Sequence, residues 1–79
     1  MTAPARDIQQ RAERFILRTL ARRPLTSVEL YGVMTAAGMG GVEFMYLAKL
    51  KQRRLVEHAW DGGVIRYRLT KHGEQEAGR

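Results

Sequence analysis

The sequence predicts an α+β domain in which three helices are followed by a two-stranded β-hairpin. Three observations carry this reading. Apolar residues recur with a helical period in three successive segments before residue 54, the period drops to 2 from Leu55 onward, and Asp61-Gly62-Gly63 interrupts the alternating run with dipeptides that form tight hairpin turns. At 79 residues the chain has room for one such domain. The expected boundaries are a flexible N-terminal tail over 1–6, the domain over 7–73, and a C-terminal tail over 74–79.

The first helix is expected from about Asp7 to Arg22, because Ile8, Ala12, Phe15, Ile16, Thr19 and Leu20 share one arc at 100° per residue. Arg11, Arg14, Arg18 and Arg22 form a stripe on its flank, and Pro24 ends it. Leu17 points away from that arc with only Ala21 as an apolar neighbour, which makes it a small dimer seam or a surface leucine. Thr26 to Glu29 fits a capping box and announces the second helix, whose apolar face is Leu30, Val33, Met34 and Ala37. Gly38 suits the left-handed position after a helix end. The third helix runs from about Gly41 to Arg53, with Phe44, Leu47 and Leu50 inward and Leu55 anchoring its exit. Its opposite face carries Val42, Met45, Lys49, Gln52 and Arg53, with Tyr46 at the boundary.

In the hairpin, Val56, His58 and Trp60 alternate with Glu57 and Ala59, and Ile65, Tyr67 and Leu69 alternate with Arg66 and Arg68. Trp60 and Tyr67 could form a base-stacking platform for single strands, but the phase turns them inward as core, with His58 packed beside Tyr67. Glu57 faces Arg66 or Arg68, depending on whether the turn is Asp61-Gly62 or Gly62-Gly63, and at least one arginine is left over. Thr70 to Gly73 closes the domain as a capped turn.

Charge points to an acidic partner. Fourteen Lys and Arg against eight Asp and Glu leave a formal +6, and eleven of the fourteen are Arg, whose fork pairs with phosphate and guanine edges. Residues 40–72 alone hold seven cations and three acids. The lack of cysteine excludes disulfides, Cys-based zinc sites and thiol nucleophiles. No apolar run reaches the roughly 18 to 20 residues of a membrane span, and no secretory apolar segment opens the chain, so a soluble, cytoplasmic protein without a membrane partner is expected. His58 and His72 are the only histidines and Ser27 the only serine, with no paired acids or His-x-x-x-His spacing. No enzymatic activity, cofactor, metal or small-molecule ligand is therefore expected.

Certain motifs carry a resemblance. Pro24-Leu25-Thr26-Ser27-Val28-Glu29-Leu30 resembles the start of the second helix in PadR-like and MarR-like transcriptional regulators. Leu47-x-x-Leu50-x-x-x-x-Leu55-Val56 is similar to their recognition helix and its exit, and Tyr67-Arg68-Leu69-Thr70-Lys71-His72-Gly73 to the end of their wing. The resemblance implies a winged helix-turn-helix over about residues 12–73. PadR-like proteins usually have Gly-Tyr where this chain has Ser27-Val28, and a glycine where it has Arg54, which predicts a different helix stop. The dimerisation helix of those families is not expected in the six residues after Gly73, leaving at most a weak homodimer.

The function implied is sequence-specific binding of double-stranded DNA by a small, basic transcription regulator. Helix three would enter the major groove through Val42, Met45, Tyr46, Lys49, Gln52 and Arg53. Arg66 and Arg68 on the outer face of the wing would meet the backbone or minor groove. The Arg stripe of the first helix is a further backbone contact or a solvated face. The alternatives are a protein-docking module and an RNA-binding domain.

Overall fold

The structure is a computed structural model that describes residues 5–40 and 43–78, with side-chain placement over 8–40 and 45–78. Val42 and the inward placement of Phe44 lie outside the described residues, as does the expected tail before Ala5. In chain order the elements are α1 (Ala5–Arg22), β1 (Leu25–Thr26), α2 (Ser27–Ala36), α3 (Glu43–Gln52), β2 (Val56–Asp61), β3 (Val64–Leu69) and α4 (Lys71–Ala77). The α+β class stands. Two elements are additional to the expected set: β1, which makes the hairpin a three-stranded antiparallel sheet of order β1-β3-β2, and the helix α4.

Local chemistry explains where the helices start and stop. Thr26 caps α2 with both arms of the capping box, its hydroxyl accepting from the Glu29 N–H at 3.2 Å and its own N–H donating to Glu29 Oε1 at 2.9 Å. At the far end Gly38 (φ 79°) gives its N–H to the carbonyl of Thr35, and Met39 gives its N–H to that of Met34. This is a Schellman motif, with Met39 packed on the core beside Met34. The end of α3 repeats it: the Arg54 N–H donates to Lys51 and the Leu55 N–H to Leu50, and Arg54 takes the left-handed φ of 62°. The helix stop is thus the usual glycine stop built on an arginine, not a different one.

The hairpin register pairs Asp61 with Val64, so the turn is Gly62-Gly63, both with positive φ. That is the backbone a tight primed turn requires. The same register sets Glu57 opposite Arg68 and Trp60 opposite Ile65. β1 is the continuation of the Pro24 link, with buried Leu25 opposite Tyr67. The core gathers Ile16, Leu20, Leu30, Met34, Leu47, Leu50, Leu55, Val56 and Leu69.

Three expectations about burial are corrected. Ile8 is exposed, while Leu17 is only 7 % exposed, because α4 packs against α1 and covers it. The seam that suggested a dimer is filled within one chain, by residues assigned from sequence to a tail. Trp60 is 73 % exposed: the sheet face it shares with Val56 and His58 is covered only at its base.

The start of α4 explains the Thr-x-x-Gly motif. Thr70 Oγ1 accepts from the Gly73 N–H at 3.0 Å and donates to the Arg54 carbonyl at 2.6 Å, while the Thr70 N–H donates to the Leu55 carbonyl at 3.0 Å. Gly73 is buried against that same carbonyl, and a Cβ on it would overlap the Leu55 oxygen. Gly73→Ala should therefore cost about 3 kcal/mol, since a backbone atom cannot move aside as a side chain can. Arg54→Gly should do the opposite and stabilise by about 0.5 to 1 kcal/mol, relieving a left-handed non-glycine residue. Urea unfolding of both variants checks the pair.

Candidate nucleic-acid interface

The buried arc of α3 is Tyr46, Leu47 and Leu50. At 100° per residue the outward face is then centred on Met45, Ala48 and Gln52, with Lys49 on the side of α1 and Lys51 on the side of the hairpin. This face is turned toward the hairpin relative to the expected one. Tyr46, expected at the boundary of the exposed face, is 7 % exposed and belongs to the core, since α1 packs on that side of the helix. Met45 is 52 % exposed, and Lys49 and Gln52 are exposed as expected.

Arg53 lies one turn beyond Lys49 and leans on α1. Its guanidinium donates to Glu13 Oε1 at 2.7 Å, and Glu13, buried under it, also accepts from Gln9 Nε2 at 2.7 Å. Lys49 Nζ reaches Gln9 Oε1 at 3.5 Å. Arg53 is thus the counter-ion of a buried carboxylate, with only its outer edge left for another partner.

The hairpin arginines are also engaged. Arg68 Nε donates to Glu57 Oε2 at 2.7 Å across the β2–β3 pair. Arg66 Nε donates to Asp61 Oδ2 at 2.8 Å, and its Nη1 to Glu29 Oε1 at 3.3 Å. The expectation that one arginine would be left without a carboxylate is corrected, because Asp61 and Glu29 supply partners that cross-strand pairing with Glu57 alone does not.

The cations left without a carboxylate lie nearby. Lys51 Nζ stands 5.9 Å from the centroid of the Tyr67 ring, within cation–π range, and His58 meets the same ring edge-on at 6.2 Å between centroids. Lys51, Arg54, Val56, Glu57, His58 and Thr70 line one shallow hollow at the base of the hairpin. Lys51 and Arg54 were not among the expected site residues. No local pattern singles them out: the 51–67 contact joins two elements, and Arg54 is displayed by its left-handed backbone.

Every acid from Glu13 to Asp61 with a described side chain is in an ion pair with an arginine. Among the described residues, those of α1, Arg11, Arg14, Arg18 and Arg22, stay exposed and form no ion pair, as does Lys49, and half-buried Lys51 forms none either. Among the described residues no helix is long and apolar enough to cross a membrane.

Glu29 joins α2 to β3, and its carboxyl is held below the usual range. The Thr26 N–H is the main cause, opposed by partial desolvation and reinforced by the Thr26 hydroxyl, Arg23 and Arg66. A carboxylate with a depressed folded pKa stabilises the fold above its unfolded pKa, and that stability is lost as pH falls through the folded one. The melting temperature of Glu29→Gln should therefore lie below that of the parent at pH ~7, with the gap closing below pH ~4. Arg53→Ala should lower stability by about 1 to 3 kcal/mol, because Glu13 stays buried with Gln9 alone. Thermal melts at two pH values read both.

Against these features, comparison with known proteins is silent: no family model, no curated protein and no solved structure matches the chain.

Proposed function

We propose that the chain is a small winged-helix transcriptional regulator that binds double-stranded DNA, with α3 in the major groove and the hairpin along the adjacent backbone or minor groove. The order of α2, a glycine-bearing turn, α3 and a hairpin supports the winged-helix reading. One observation carries the DNA reading. The outward face of α3 has an amide and a thioether at its centre, Gln52 and Met45, and unpaired lysines on both flanks, while the nearby carboxylates of Glu13 and Glu57 are paired with arginines. Gln52 is the base-reading group of that face, since an amide can pair bidentately with adenine. Lys49, Lys51, Arg54 and exposed Lys71 are the phosphate contacts. Arg66 and Arg68 act as braces of the hairpin that share their outer edges with phosphate.

Duplex binding followed by fluorescence anisotropy should show log K falling against log salt with a slope of roughly −3 to −4, for about four phosphates. Lys51→Ala should weaken specific and random duplexes alike and reduce the slope by about one. Gln52→Ala should cost about 1 to 3 kcal/mol on a site selected from a random pool and relax discrimination there. Affinity that ignores salt, or no binding at low salt, overturns the reading in favour of a docking module; a preference for double-stranded RNA overturns it in favour of RNA.

A further inference from the structure

We propose that the tip of the hairpin is a base-stacking wedge, in which the Trp60 indole is the platform and Ile65 its backing. The inference rests on the nucleic-acid reading above and names what the hairpin takes from that partner: the π face of a base. Along the β2–β3 ladder burial falls from Val56 and Leu69 at the base, through the His58–Tyr67 pair, to Trp60 and Ile65, which are 73 % and 38 % exposed. Trp60 and Ile65 are direct cross-strand partners next to the Gly62-Gly63 turn, so the indole is carried on a paired backbone rather than a loose loop. An exposed tryptophan backed by a β-branched neighbour is a costly surface unless something covers it.

Charge favours a nucleic-acid strand as the cover. Alternation puts Trp60, His58, Ile65 and Tyr67 on one face of the hairpin, and Lys51 stands over Tyr67 on the path from the tip to α3. Asp61 belongs to the opposite face with Arg66, and Glu57, which reaches the edge of the hollow that Lys51 and Arg54 line, is held by Arg68. The stacking face thus leads from an aromatic tip to a cationic base, as a surface does that takes a base at one end and a phosphate at the other. The base comes either from a step opened in the duplex, as apolar wedges do from the minor groove, or from an unpaired position.

Trp60 is the only tryptophan of the chain, so indole emission reports this one position. The full chain is titrated with a duplex, with the same duplex carrying one unpaired adenine, and with heparin as a polyanion without bases; anisotropy of the labelled duplexes gives affinity. Both duplexes should quench the indole, and heparin should bind without quenching. Trp60→Ala should weaken duplex binding about tenfold with an unchanged salt slope, and Trp60→Phe should recover most of the loss. A gain for the unpaired adenine that disappears in Trp60→Ala assigns the base to an unpaired position, and equal affinity with quenching in both assigns it to an opened step. Binding of both duplexes with emission unchanged in each, equal quenching by heparin, or a Trp60→Ala silent on both duplexes overturns the wedge and leaves the nucleic-acid reading standing. No binding to either duplex overturns both. Emission that changes with protein concentration alone shows the tip covered by a second copy and also overturns the wedge.

Discussion

The carbonyl of Leu55 is where four elements are tied. It accepts from the Thr70 N–H, it lies against the bare Cα of Gly73, and the carbonyl before it is held by the Thr70 hydroxyl. The end of α3, the start of β2, the end of β3 and the start of α4 are therefore fixed relative to one another within a few ångströms of one peptide. In a close-packed interior such a tie leaves no slack. The angle between the outward face of α3 and the hairpin, on which any shared ligand of the two would depend, is set at this junction and not at the exposed residues themselves.

The second organising feature is how charge is divided. The chain has fourteen cations, yet the arginines at 53, 66 and 68 are matched to Glu13, Asp61, Glu29 and Glu57 and serve as braces between elements. Apart from the pair on buried Glu13, these are exposed pairs that contribute little each, about 0 to 1 kcal/mol. Their larger effect is to decide which cations remain for a polyanion. Among the described residues Lys49, Lys51, Arg54, Lys71 and the α1 arginines 11, 14, 18 and 22 remain, so the electrostatic surface follows from the pairing pattern more than from composition.

Features whose cause is local were legible in the sequence. The Thr26–Glu29 capping box, a hairpin turn within Asp61-Gly62-Gly63, the stop of α2 at Gly38 and the packing of His58 on Tyr67 each depend on residues close in sequence or paired by a tight turn, while the choice of Gly62-Gly63 over Asp61-Gly62 came from the strand register. Those set by a distant neighbour were not. Leu17 is buried only because α4 crosses α1, and a seven-residue helix of mostly polar residues has no periodicity to announce it. Tyr46 and Arg53 depend on which side of α3 meets α1, and a helical wheel without that contact is free to rotate. Trp60 has the alternation of a core residue, but alternation gives a face and not a depth: the body of the domain ends before it. On the candidate interface, Met45, Lys49 and Gln52 were read correctly as exposed, while Lys51 and Arg54 went unread because neighbours in space, not in sequence, present them.

The two residues of β1 have a consequence for how the chain reaches this state. β1 joins the sheet through β3, with Leu25 beside Tyr67, so the first half of the chain and the hairpin close on each other only at the end. Hairpin closure is an event of about 1 to 10 μs, but contacts so far apart in sequence carry a loop-closure cost that slows the final step. During synthesis Leu25, Leu30 and Met34 would have no sheet to cover them until β3 has emerged. The last strand to be made is thus the one that completes the sheet over the helical half.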